Sequence, residues 1–182
     1  MKPVLCLVLF IASFTPAAAD EWRMTEESEL TFEASWEETA LSGQFRSYNV
    51  ELLPADGSIE GGKLVVTVDL VAADMDDPDI NEAIAGEEWF SVERFPVATF
   101  TSRSIRRAEE NIYVAEGELD LKGHLEPVAV PFTWEASGSS ATMTGELALD
   151  RTRFDIGSGE WADDDSIGQA VRVSFSVVLE RK

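Results

Sequence analysis

The chain has 182 residues, with 14 Lys and Arg against 35 Asp and Glu, a net charge of −21. A surface this acidic repels nucleic-acid phosphates and anionic lipid head groups, which argues against a protein that binds DNA, RNA or a membrane surface. The single cysteine, Cys6, allows no intrachain disulfide, so a hydrophobic core must stabilise the fold.

The N-terminal residues have the pattern of a secretory signal peptide. Lys2 precedes an apolar run from Val4 to Phe14, and Ala17 and Ala19 form an Ala-x-Ala exit. The run is well short of the roughly 20 residues that a spanning helix needs, which disfavours a membrane anchor. We therefore predict a signal peptide over 1–19, cleavage between Ala19 and Asp20, and an exported single domain over 20–182.

Alternation with a period of two dominates the rest of the chain. In the first segment Leu30, Phe32, Ala34 and Trp36 alternate with polar residues, as a strand with one wet face requires. Similar segments cover Phe45–Leu52, Leu64–Leu70, Phe100–Ile105, Tyr113–Leu121, Val128–Trp134, Ala141–Leu149 and Val171–Leu179. A change of register between Phe45 and Tyr48 predicts a bulge in the second strand.

One short helix is predicted before the aromatic segment Trp89–Phe100. Asp77 is a good N-cap residue, and Pro78 suits the first helical position. Ile80 and Ile84 fall on one face, four residues apart. The aromatic segment that follows is expected at one end of the β structure, where it caps a core or lines the mouth of a cavity.

Eight antiparallel strands with short connections indicate a sandwich or a closed up-and-down barrel. The long apolar first and last strands favour closure. Small inward residues then favour an internal cavity over a filled core: Ala34, Ala115, Gly117, Ala141 and Gly145. Because the inward set carries almost no charge, we expect such a cavity to suit a long hydrocarbon.

Motifs for catalysis or metal binding are weak. His124 is the sole histidine and lies in a turn without a nucleophile motif, so we predict no catalytic residue. The acidic segment 74–79 fails the EF-hand pattern because Pro78 takes its fifth position. Asp163–Asp165 has no further ligand signature, so we predict no metal site. An enzyme that uses Asp155, Glu160 or Asp163 on a lipid head group remains the alternative, together with a filled-core interaction module.

Six short segments, in order, resemble the YceI-like family of bacterial exported lipid-binding proteins. They are Ser28–Phe32, Gly43–Tyr48, Trp89–Phe100, Gly117–Gly123, Val130–Phe132 and Arg153–Gly157. The resemblance implies an all-β, eight-stranded antiparallel lipocalin-like barrel that holds a polyisoprenoid or related long-chain amphiphile. Members are typically periplasmic, and some are linked to isoprenoid quinones or cytochrome b561-type electron transport. Segment Gly159–Asp163 resembles the corresponding segment of these latter members. The sequence departs from the family at His124.

On this basis we predict a non-enzymatic carrier that has no catalytic cofactor and holds a bound polyisoprenoid or quinone-like lipid. A transient cytochrome b561-type partner and a homodimer are further hypotheses. The predicted channel lining is Phe32, Phe45, Val66, Val68, Phe100, Leu119, Phe132, Trp134, Phe154 and Phe175. The predicted gate is Ile84, Trp89, Phe90 and Phe95.

Overall fold

A computed structural model of the chain describes residues 21–37, 39–162 and 167–182. The predicted signal peptide and Asp163–Asp165 lie outside the described residues. Most of the described part is β structure.

Eight long strands follow one another along the chain. Strand β1 has two segments, Trp22–Met24 and Glu29–Trp36, and β2 also has two, Thr39–Phe45 and Tyr48–Ala55. Strand β3 runs over Ser58–Asp69 and resumes at Ala73–Asp74 after one turn of 3-10 helix, Leu70–Ala72. The remaining strands are β4 (Val97–Arg107), β5 (Ile112–Leu121), β6 (His124–Ser137), β7 (Ser140–Asp150) and β8 (Ala170–Arg181).

Each strand pairs antiparallel with the next, and β8 pairs with β1. The closing seam has two parts, with Trp22 opposite Arg181 and Phe32 opposite Val173. The sheet is therefore a closed eight-stranded antiparallel barrel, which confirms the predicted fold and the closure by the first and last strands.

The predicted helix is also confirmed. Helix α1 spans Pro78–Ala85, and the Asp77 carboxylate accepts the backbone N–H groups of Asp79 and Ile80. The 3-10 turns Arg151–Phe154 and Gly159–Ala162 follow β7. Helix α1, these turns and residues 86–96 lie at one end of the barrel, which we call the mouth.

Local irregularities account for some of the small residues. β2 breaks at Arg46 and Ser47, where a bulge is predicted. β4 is irregular between Ser102 and Ser104, and a Cβ on Gly117 would collide with the carbonyl oxygen of Thr101. Gly117 thus admits the neighbouring backbone and leaves no empty volume.

Two apolar clusters fill the two ends of the barrel. The closed-end core includes Trp22, Leu52, Ile105, Phe132 and Leu179. The mouth cluster is Leu70, Ile84, Phe90, Ala98, Leu121, Phe154 and Ile156.

Ala115 and Ala141 belong to the closed-end core, whereas a Cβ on Gly145 would meet Pro131 and Phe175. Among the five small residues expected to leave space, only Ala34 borders the cavity described below. The prediction was wrong for the other four because neighbouring side chains and backbone occupy the volume.

Candidate functional site

A cavity of about 430 Å³ lies in the barrel between the closed-end core and the mouth cluster. This volume falls within the 300–1,000 Å³ typical of ligand pockets. Its wall consists mainly of inward side chains from the strands, because alternate residues of each strand point to the interior. Eleven of the fourteen predicted residues line it: Phe32, Phe45, Val66, Val68, Ile84, Trp89, Phe90, Phe100, Leu119, Phe154 and Phe175. Their contact with a ligand stays a prediction.

The other three predicted residues are not brought to the cavity. Phe95 lies against Gly123, and the Arg94 guanidinium lies 5.2 Å from the centre of its ring. Phe132 and Trp134 pack in and against the closed-end core. They share the inward face of β6 with lining residues, but the strand has passed below the cavity before it reaches them.

The exposed residues of the cavity wall belong to α1 and to the end of the β1–β2 hairpin, and we call this part of the wall the entrance. Asp79, Ile80 and Ala83 of α1 line it, together with Trp36 and Trp161. The Trp36 and Trp161 ring centroids are 6.3 Å apart, and 40% of Trp36 is exposed. The entrance thus combines an aromatic pair with exposed residues of a short helix.

Trp161 was missed because it lies in a Gly-rich, acidic loop that the strand pattern does not cover. Its ring centroid is 5.8 Å from that of Trp89. An aromatic residue inside such a polar loop was the only signal that could have found it.

Arg151 binds the described residues 156–162 and 167–168, which we call the entrance loop, from the inside of the barrel. Its side chain is 2% exposed, and Nε donates to the carbonyl of Gly168. Nη1 donates to Ile156 and Gly157, and Nη2 donates to Trp161 and Ile167. The guanidinium therefore binds five backbone carbonyls of residues 156–161 and 167–168, at distances of 2.8 to 3.0 Å.

Backbone hydrogen bonds tie the predicted gate to this loop. The carbonyl of Glu88 accepts the N–H groups of Gly157 and Ser158, at 2.8 and 3.0 Å. The N–H of Phe90 donates to the carbonyl of Ile84 at 3.0 Å. Hydrogen bonds therefore connect the segment that carries the gate residues Ile84, Trp89 and Phe90 to Gly157 and Ser158.

Two charged groups at this end, Asp74 and Lys122, are held by neighbouring residues. The pKa of Asp74 is lowered to about 2, first by the hydrogen bond from the Asn81 side chain and then by that from Arg46. Lys122 is buried, donates to the carbonyl of Asp155 and lies 3.5 Å from its carboxylate. Asp155, proposed in the enzyme alternative, thus has a structural partner, and its backbone is left-handed at φ 54°.

No group of three or more His, Cys, Asp or Glu side chains within 21–37, 39–162 and 167–182 is placed to hold a metal ion. Over the same residues, every helix is too short or too polar to cross a bilayer.

One polar group in the cavity wall stands out. Tyr48 lines the cavity, and its hydroxyl is buried without a hydrogen-bond partner among the described residues. Burial, and secondarily the negative charge of Glu29, raises the pKa of Tyr48 to about 12. The phenol is therefore neutral at physiological pH and incompletely satisfied in the folded protein.

We expect Tyr48→Phe to stabilise the ligand-free protein by about 1 kcal/mol at neutral pH, because the variant no longer buries an unsatisfied hydroxyl. In the wild type the unfolded tyrosine ionises near 10.0 and the folded one near 12, so Tyr48 should cause a loss of stability as pH rises through this interval. The variant should lack this contribution. Urea unfolding at neutral pH and between these two values measures both effects.

Tyr113→Phe is the matched control, since Tyr113 is the only other tyrosine and lies in the closed-end core. It should give no gain in stability at neutral pH. A Tyr48→Phe variant less stable than Tyr113→Phe would contradict the assignment.

Comparison with known proteins adds a family match. Residues 22–179 match the model of the YceI-like domain. A UPF0312 protein from Photorhabdus laumondii is 26% identical over 88 residues, which is 48% of this chain and 45% of that protein. The matched stretch thus spans less than half the length of this relative.

Solved structures resemble the whole barrel. BcnA from Burkholderia cenocepacia superposes with a TM-score of 0.80 and 30% identity, covering 84% of this chain and 96% of BcnA. A polyisoprenoid-binding domain from Saccharophagus degradans gives a TM-score of 0.72 at 16% identity, covering 89% and 98%. The Campylobacter jejuni YceI protein gives 0.72 at 14% identity, covering 79% and 86%. At these identities the last two comparisons establish a shared fold.

Proposed function

The chain belongs to the YceI-like family, and we propose that it binds a polyisoprenoid or a similar long-chain amphiphile and carries it in the periplasm. The observation that carries the proposal is the cavity of about 430 Å³ lined by apolar side chains from all around the barrel. Such a wall favours burial of hydrocarbon and has few groups that could form hydrogen bonds with a polar ligand.

The chemistry of the lining selects the ligand class. Each buried methylene contributes about 0.8 kcal/mol, so a long chain gains affinity with every group that enters. A sugar or nucleotide would lose its hydration without replacement hydrogen bonds. Among the described lining residues, only Asp79 and Arg151 carry a charge, and Arg151 donates to backbone carbonyls.

The relatives support the same class. The Saccharophagus degradans domain that shares this fold is a polyisoprenoid-binding domain. The proposed export is supported by the signal-peptide pattern of 1–19, and the proposed periplasmic location by the resemblance to exported bacterial proteins of this family. We extend the proposal to isoprenoid quinones, with a cytochrome b561-type membrane protein as a transient partner, and we propose that the protein has no catalytic activity of its own.

The proposal is tested by purifying the protein natively from the periplasm of a host that processes its signal, without detergent. Organic extraction followed by mass spectrometry should recover an apolar chain in near-stoichiometric amount. Val173→Trp, which places an indole in the cavity, should carry much less lipid when prepared in parallel. Several preparations without any extractable amphiphile would refute the proposal.

A further inference from the structure

The entrance carries a negative charge at the point where the polar end of a bound amphiphile would lie. Asp79 is an exposed residue of α1 and lines the same cavity as Trp36 and Trp161. An amphiphile that inserts its chain first leaves its head group at this opening, because the far end of the barrel is filled by the closed-end core.

Proteins commonly hold a phosphate with an arginine or with the N-terminus of a helix. Arg151 is the only cation among the described lining residues. Each of its side-chain N–H groups already donates to a backbone carbonyl of 156–168. Turning these donors toward a ligand would dismantle the entrance loop.

The N-terminus of α1 is likewise occupied by the protein itself. Pro78 has no N–H, and the N–H groups of Asp79 and Ile80 donate to the Asp77 carboxylate at 2.9 and 3.1 Å. The N–H of Asn81 donates to the Asp77 carbonyl at 2.9 Å. The positive end of the helix is thus neutralised by an internal carboxylate, and no backbone donor of its first turn faces a ligand.

The basic residue beside this segment is also paired. Arg46 forms ion pairs with Asp74 at 2.5 Å and with Asp76 at 3.7 Å. These two carboxylates flank the lining residue Met75. Carboxylates near the entrance therefore repel an anion. The three groups best suited to bind it, which are Arg151, the N-terminus of α1 and Arg46, already have partners within the protein.

We propose that the polar end of the ligand is uncharged and that the entrance discriminates against a phosphate or diphosphate on the same chain. The inference rests on the proposed function and names the head-group class for that site. An uncharged oxygen-bearing or hydrocarbon end loses nothing beside Asp79, whereas a phosphate there meets a like charge.

The test uses lipid-stripped full-length mature protein and two probes with the same chain, geranylgeraniol and geranylgeranyl diphosphate. Binding is followed by tryptophan fluorescence, since Trp36, Trp89 and Trp161 lie at the entrance. Geranylgeraniol should bind at least about tenfold more tightly at low salt. The difference should shrink at high salt, because screening weakens the repulsion of an exposed charge.

Two single-charge variants separate a local effect from the overall charge. Asp79→Asn should reduce the preference for geranylgeraniol at least about threefold. Asp56→Asn removes the same charge in the β2–β3 turn at the closed end, where screening should leave the preference unchanged. Asn tolerates the positive φ of 50° at this position.

The outcomes distinguish the two proposals. If neither probe binds, the proposed function fails and takes the inference with it. If both bind equally well, or the diphosphate binds more tightly, the inference is overturned while the proposed function stands. Equal effects of Asp79→Asn and Asp56→Asn would also overturn it, since overall charge would then account for the preference.

Discussion

Replacing Val173 with tryptophan should remove bound lipid from the protein while the barrel still folds. Val173 is half-buried, lines the cavity from β8, and lies opposite Phe32 of β1 and Leu147 of β7. An indole at this position would occupy space that a hydrocarbon chain needs. Displacing about three methylenes would weaken binding by about 2–3 kcal/mol, or about 30- to 150-fold.

The folded state should tolerate this change because the indole enters empty volume. We expect the free energy of unfolding to change by less than about 1 kcal/mol, compared with the 1–3 kcal/mol typical when a filled core is overpacked. Extracted lipid per protein and urea unfolding give the two values.

Ser174→Trp is the matched control. It places the same side chain on the next residue of the same strand, which faces the outer surface of the barrel. Lipid content should remain at the wild-type level. If Val173→Trp retains as much lipid as Ser174→Trp, the ligand does not lie in the cavity.

Arg151→Met should cause the largest loss of stability of any single change considered. The substitution removes the donor shared by five carbonyls of 156–168 and leaves them without it in a buried setting. Breaking a buried charged network from one side typically costs about 3–5 kcal/mol. Denaturant unfolding measures the loss, and the emission of Trp161 should shift as the entrance loop detaches.

Two further variants identify the cause. Arg153→Met, two residues away, removes an exposed guanidinium paired with Glu126 and should cost less than about 1 kcal/mol. Arg151→Lys should recover little, because an ammonium cannot reproduce the planar fork that reaches carbonyls on several sides. Equal stability of Arg151→Met and Arg153→Met would show that the buried network contributes nothing.

The strands were predictable because each has one apolar and one wet face, so Leu30 to Trp36 already gives the period. Helix α1 was predictable because Asp77 and Pro78 form a local start signal that does not depend on tertiary contacts. These features require only neighbours in sequence.

The site was less predictable because periodicity gives the face of a strand and not the height along the barrel. Phe132 and Val130 share a face of β6, yet Val130 lines the cavity and Phe132 packs below it. Arg151 has no sequence signal at all. An arginine after a strand usually reads as solvated, and only the folded loop supplies the carbonyls that bury it.

The closed-end core fills one end of the barrel. A lipid held as proposed would therefore enter and leave through the same entrance, so the protein that donates the lipid and the protein that accepts it could not bind there at the same time. Transfer of the lipid would then be sequential, and the carrier would dissociate from the donor before it binds the acceptor. For the proposed carrier, a donor and an acceptor would then compete for the surface around Trp36 and α1, because Trp22, Leu52 and Leu179 fill the other end of the barrel.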